Sequence, residues 1–254
     1  MTEYSGGGDP AKSMALLWRQ GDKPGRSGLG AERIIATGIE LADAEGLTAL
    51  TMRKVAEKLG VGAMSLYTHV PGRAELLDAM VDTVQAEAIR LEDPPGDWRA
   101  RLETVARDNW AMLHKHPWLL QIATTRAVLG PVVITKYDYE LRQIDGIGLS
   151  DVDMDAVLTL VLGYVQGSAR ASVDARESER RTGLSDEQWW ALHAPLLGKL
   201  INERDFPVAS RVGSAAGQAH QSAYDPDFAF EFGLAKVLDG IAAHLAQLPH
   251  GPGS

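Results

Sequence analysis

Between Thr51 and Arg73 the chain stops one helical pattern, starts a second and stops that too. In TMRKVAEKLGVGAMSLYTHVPGR, Met52, Val55, Ala56 and Leu59 repeat at helical spacing behind Thr51, a residue type that caps helix N-termini. Gly60 and Gly62 break the pattern, a short helix is predicted over 63–69, and Pro71 ends it. Two short helices, Thr51–Leu59 and Ala63–Val70, are thus separated by a glycine-containing turn. The two must cross and share a buried contact, for which Leu59, Val61 and Leu66 are the expected residues. Ala63, Met64, Ser65, Tyr67, Thr68 and His69 then face outward. This is a helix-turn-helix pattern. Short side chains early in its second helix let the backbone approach base edges, and later hydroxyls and N–H donors suit phosphates.

Elsewhere the periodicity is helical and strand-like alternation is absent, so the expected fold is all-α. Helix spans are predicted at 97–115, 117–126, 131–147, 151–180, 185–204 and 226–247, after an apolar-faced helix from Ala31 to a stop at Gly46. The Gly-, Ala- and Ser-rich segment 205–225 reads as a mobile loop. Residues 1–29 read as a flexible basic extension, with a turn or two of helix at 14–20 and cations at Lys12, Arg19, Lys23 and Arg26. The predicted organisation is this extension, a three-helix helix-turn-helix domain at 30–78, and a larger helical domain at 79–254.

Net charge is −9, which argues against a chain that coats nucleic acid over its whole surface. Within residues 51–73, however, Arg53, Lys54, Lys58 and Arg73 face only Glu57. There is no cysteine, which excludes disulfides, thiolate metal sites and a cysteine nucleophile. No apolar run is long enough to span a membrane and no signal peptide is visible, so the expected location is cytoplasmic. HExxH, P-loop and GxSxG patterns are missing, and no enzyme activity or cofactor is expected. The two histidines of HKHPW, His114 and His116, diverge at i, i+2 on a helix, so no metal site is expected.

The run TMRKVAEKLGVGAMSLYTHVPGRAELLDAM, with ERIIATGIELADAEGLTALT before it, resembles the DNA-binding domain of the tetracycline-repressor (TetR) family over residues 31–80. Its LGV turn, LYTHV run and AELL helix start stand in the family's order, and FEFGLAKVLDGIAAHL resembles the family's last, dimer-forming helix. The resemblance implies a one-component transcriptional regulator that acts as a repressor. It would bind a palindromic double-stranded DNA operator as a homodimer and be released by a small organic effector. It also implies base or phosphate contacts by Arg53, contacts along Ala63, Met64, Ser65, Tyr67, Thr68 and His69, and a phosphate contact by Arg73. Gly62, Ala63 and Met64 offer few polar groups for base readout, leaving that to Arg53 and Ser65 and to methyl contacts with thymine. Lys23 and Arg26 are expected in an adjacent minor groove.

The apolar faces near 151–180 and 226–247 would form the dimer seam. An aromatic set with polar tips, Trp110, His114, Trp118, Tyr137, Tyr164, Gln166, Trp189, Trp190 and His193, suits a planar, partly polar effector. The rival reading is a helical small-molecule-binding or enzymatic protein that keeps the helix-turn-helix only as scaffold.

Overall fold

A computed structural model of the chain describes residues 3–4, 7–18, 29–123 and 127–248. Among them the chain is helical, in the order α1 (Pro10–Leu17), α2 (Ala31–Glu45), α3 (Met52–Leu59), α4 (Ala63–Leu66), α5 (Arg73–Val84), α6 (Trp98–Lys115), α7 (Pro131–Arg142), α8 (Asp151–Thr182), α9 (Asp186–Leu200), α10 (Pro207–His220) and α11 (Pro226–Leu245). Tight 3₁₀ turns occupy Leu47–Ala49, Gln85–Ala88 and Pro117–Gln121. The one β pairing among the described residues is a two-residue parallel bridge, β1 (Glu3–Tyr4) on β2 (Ile122–Ala123).

The chain divides into two compact units: residues up to Leu162 with the chain from Ile241 onward, and Gly163–Gly240. In the first, α2 presents Ile34, Leu41 and Ala42 to a core shared with Leu47, Leu50, Val55, Leu66, Leu76 and Met80. Gly38 lets α2 lie close to α5, since a Cβ there would come within 2.9 Å of Met80 Sδ. Buried polar groups tie helices of this unit to one another. Lys136 Nζ and Asn109 Nδ2 both reach Glu140 Oε1, at 2.7 Å each, joining α6 to α7. Asp82 on α5 accepts the Val133 backbone N–H at 2.9 Å and so caps α7, whose own N-cap, Gly130, has no side chain to do it. Burial pushes the Asp82 carboxyl above its ordinary range, opposed by hydrogen bonds from the Val133 and Val132 amides.

A second joint links α2 to the segment after α6. His116, almost fully buried, places Nδ1 2.7 Å from Asp43 Oδ1 and Nε2 3.2 Å from Glu87 Oε2. Trp118 Nε1 donates to the same Asp43 oxygen at 2.7 Å, and Lys115 Nζ donates to Glu87 at 2.6 Å. Burial raises the Glu87 carboxyl, but the hydrogen bonds and charges of Lys115 and His116 outweigh it and hold the group below its ordinary range. In the second unit, Tyr164 on α8 donates its hydroxyl to the carbonyls of Ala229 (2.8 Å) and Phe230 (2.9 Å) on α11.

Several boundaries differ from expectation. Segment 205–225 is not a loop: α10 fills most of it, opened by Pro207 at its first turn and closed by Gln221 in the left-handed region. Its many glycine, alanine and serine residues are a composition that loops share. The extension expected to be flexible contains α1, which starts at Pro10 rather than near residue 14, with Asp9 capping the amides of Ala11 and Lys12. The span 117–126 is a 3₁₀ turn followed by extended backbone at Ile122–Ala123, with 124–126 outside the described residues.

Candidate nucleic-acid interface and effector cleft

The helix-turn-helix forms where the glycines required it. Thr51 Oγ1 accepts the Lys54 amide and opens α3, and Gly60 closes it at φ 70°, a left-handed conformation that side chains other than glycine resist. Gly62 has an ordinary φ and opens α4, so only Gly60 is demanded by backbone geometry. α4 is one turn long. It continues as turns in which the amides of His69 and Val70 both bond to the Leu66 carbonyl. Leu66 and Val70 are completely buried and hold the element down. Leu59 and Val61, expected in that contact, are only half-buried; Val55 and Ala56, one turn earlier on α3, take the core side instead.

The outward set is displayed as expected in part. Met64, Ser65, Tyr67 and Thr68 are exposed, with Met64 at 79%, while Ala63 and His69 are half-buried. The cations are less available than the sequence implied. Arg53 Nε pairs with Glu57 at 2.8 Å, which raises the guanidinium pKa. Lys54 pairs with Glu45 at 2.8 Å and Lys58 with Glu40 at 3.0 Å. Both of those acids lie on α2, so a charge count over residues 51–73 alone could not include them. Arg73, expected at a phosphate, is half-buried and donates to two backbone carbonyls, Leu50 O at 2.7 Å and Leu47 O at 3.3 Å. It braces the turn between α2 and α3. Lys23 and Arg26 lie outside the described residues.

The aromatic set is divided between the two units. In the first unit Trp118, expected at the effector, is buried in the core with its Nε1 on Asp43. His114 lies against Trp110, ring centroids 4.3 Å apart, with Nδ1 2.8 Å from the Trp110 carbonyl. Tyr137 is exposed and donates to Asp155 at 2.7 Å. In the second unit Tyr164 is spent on α11, Gln166 is half-buried, and Trp189 stacks on His193 at 4.0 Å on the exposed face of α9. Trp190 alone of the nine lines a cleft in that unit of about 380 Å³, with Ala194 and Leu197 of α9 and Ala209, Gly213 and Gly217 of α10. A Cβ at Gly217 would come within 2.9 Å of the Trp190 ring, so the small face of α10 is what admits the indole. No cluster of three or more metal-ligating side chains occurs among the described residues.

A braced helix-turn-helix followed by a longer helical body defines the class: a DNA-binding transcriptional regulator. Residues 34–80 match the family model for bacterial regulatory proteins of the tetR family, and residues 92–245 match the tetracyclin repressor-like C-terminal domain. The chain belongs to the TetR family of transcriptional regulators. It is 40% identical to the HTH-type transcriptional repressor DrrR1 of Streptomyces coeruleorubidus, over 97% of this chain and 90% of that one. Among solved structures it is similar to Streptomyces coelicolor ActR in complex with actinorhodin, at TM-score 0.72 and 30% identity, covering 87% of this chain and 99% of that one. It is also similar to BioQ solved with its double-stranded DNA operator, at TM-score 0.51 and 27% identity, over 61% of this chain and 93% of that one.

Proposed function

We propose that this chain is a one-component, ligand-responsive repressor that acts in the cytoplasm as a homodimer on a near-palindromic operator. The observation that carries this is α4 with the turns that follow it: a short, outward-facing element with Met64, Ser65, Tyr67 and Thr68 exposed above a completely buried Leu66 and Val70. A dimer sets two such elements in successive major grooves, roughly 34–36 Å apart. Support for the dimer comes from large apolar side chains left uncovered on the two helices expected at the seam: Val152 and Leu160 on α8, Phe228 and Phe232 on α11. Support for an organic effector comes from the Trp190 cleft and from the relative solved with actinorhodin. The effector acts by binding one arrangement of the subunits more tightly than the DNA-competent one, a population shift set by that difference in affinity.

The test is fluorescence anisotropy with DNA from the intergenic region beside the protein's own gene, a random duplex as competitor, and actinorhodin as the first effector probe. Two protomers per site, resistance to competitor and release by an organic ligand are expected. Binding that is weak, indifferent to sequence and lost at moderate salt would refute the reading.

A further inference from the structure

A cleft of about 140 Å³ separates α1 from the end of the recognition element, lined by Lys12 and Leu16 on one side and Tyr67, Thr68 and His69 on the other. We propose that this cleft seats a backbone phosphate of the operator, with Lys12 as its cation, so that α1 is part of the DNA-binding surface. The inference rests on the chain binding operator DNA as a regulator.

Position is the first argument. α1 is fixed on α5 by contacts on either side of Lys12. The Asp9 amide donates to Glu75 Oε1 at 3.1 Å, the Ser13 hydroxyl donates to the buried Asp78 at 3.0 Å, and Leu16 is buried. Trp18 Nε1 donates to the Leu129 carbonyl at 2.9 Å, anchoring the end of the helix. Gly8 is part of the fit, because a Cβ there would come within 2.5 Å of Glu75 Oε1. Lys12 is therefore presented by an anchored helix beside Tyr67–His69, not by a free arm.

Availability is the second argument. Arg53, Lys54 and Lys58 hold carboxylates at 2.8–3.0 Å, and Arg73 holds two carbonyls. Among the described residues Lys12 has only a 3.9 Å pair with Asp9, both side chains more than half exposed. An exposed pair of that length holds its cation weakly, and a phosphate displaces it readily. The hydroxyls of Tyr67 and Thr68 add donors of the kind that position a protein on the duplex without reading sequence.

The experiment is operator binding by the full chain across 50 to 200 mM salt, for wild type, Lys12→Gln, Lys12→Arg and Asp9→Asn. Losing one phosphate contact lowers the salt slope by about 0.9 per bound protomer, so the deficit of Lys12→Gln should shrink about 3.5-fold per protomer across that range. Its operator-to-random ratio and its thermal melt should match wild type. Lys12→Arg should keep the full slope. Asp9→Asn preserves the helix cap and removes the competing charge, so it should bind more tightly at low salt. A Lys12→Gln slope equal to that of a wild type that binds specifically would overturn the phosphate seat and leave the regulator standing. A wild type without specific binding would overturn both.

Discussion

Replacing His116 by alanine tests whether its joint holds the first unit together. The ring is almost fully buried and gives one nitrogen to each of two carboxylates, at 2.7 and 3.2 Å. Hydrogen bonds to charged groups contribute about 1.5–3 kcal/mol each. The side chains of Asp43 and Glu87 are 30% and 36% exposed, so both can recover water when the imidazole is gone, and the low end applies. Two bonds at the low end amount to about 3 kcal/mol, before any loss of packing against the edge of Trp118. His116→Gln keeps one donor and most of the volume, and should cost about half as much. The sign of the pH dependence follows from Glu87. Its carboxyl is held below the ordinary range in the folded state, so its contribution is present at neutral pH and is lost as pH falls through that range. Urea unfolding followed by circular dichroism, at pH 7 and through the carboxylate range, measures all three quantities. An alanine variant within about 0.5 kcal/mol of wild type, the scatter typical of surface substitutions, would refute the reasoning.

Other substitutions separate bracing from binding. Leu66→Ala empties the completely buried contact beneath α4 and should cost about 2–5 kcal/mol in urea unfolding, with operator binding lost in the same variant. Arg73→Ala removes donors to Leu47 and Leu50, and should lower the melting temperature while leaving the salt slope of DNA binding unchanged; a slope reduced by about 0.9 per protomer would restore the phosphate role. Asp82→Asn keeps an acceptor for the Val133 amide without a buried charge. A carboxyl raised on folding makes stability fall as pH rises from the ordinary carboxylate range towards the folded value, so Asn should flatten that slope, and Asp82→Ala should cost about 1 kcal/mol as a lost cap. Gly233→Ala sets a methyl against the Tyr164 hydroxyl and should destabilise the second unit, measured as faster hydrogen exchange in α11.

The helix-turn-helix was legible because its determinants are local. A threonine cap, a glycine at the left-handed stop and a helical apolar repeat all lie within a few residues of what they control. Asp9–Pro10 was an equally local signal for α1, masked by the glycines around it. What could not be read depends on residues distant in sequence. Asp43, Glu87 and His116 meet from three elements, and nothing near HKHPW shows that His116 is a clasp. Arg73 looked like a surface cation because its acceptors are carbonyls, which every residue has. The effector side was least legible for the same reason. An aromatic with a polar tip serves core, surface and cleft alike, and only packing distinguished Trp118 from Trp190.

The brevity of α4 limits how its specificity can be transferred. Four residues of α-helix cannot nucleate on their own, so the conformation that displays Met64, Ser65 and Tyr67 is lent by Leu66 and Val70 from below. A synthetic peptide of residues 63–70 would carry the right side chains and no defined shape. On the function proposed above, exchanging operator preference with another regulator means replacing exposed positions one at a time on this scaffold, or moving the whole module from α2 to α5. Cutting out the recognition element alone transfers its sequence and leaves its geometry behind.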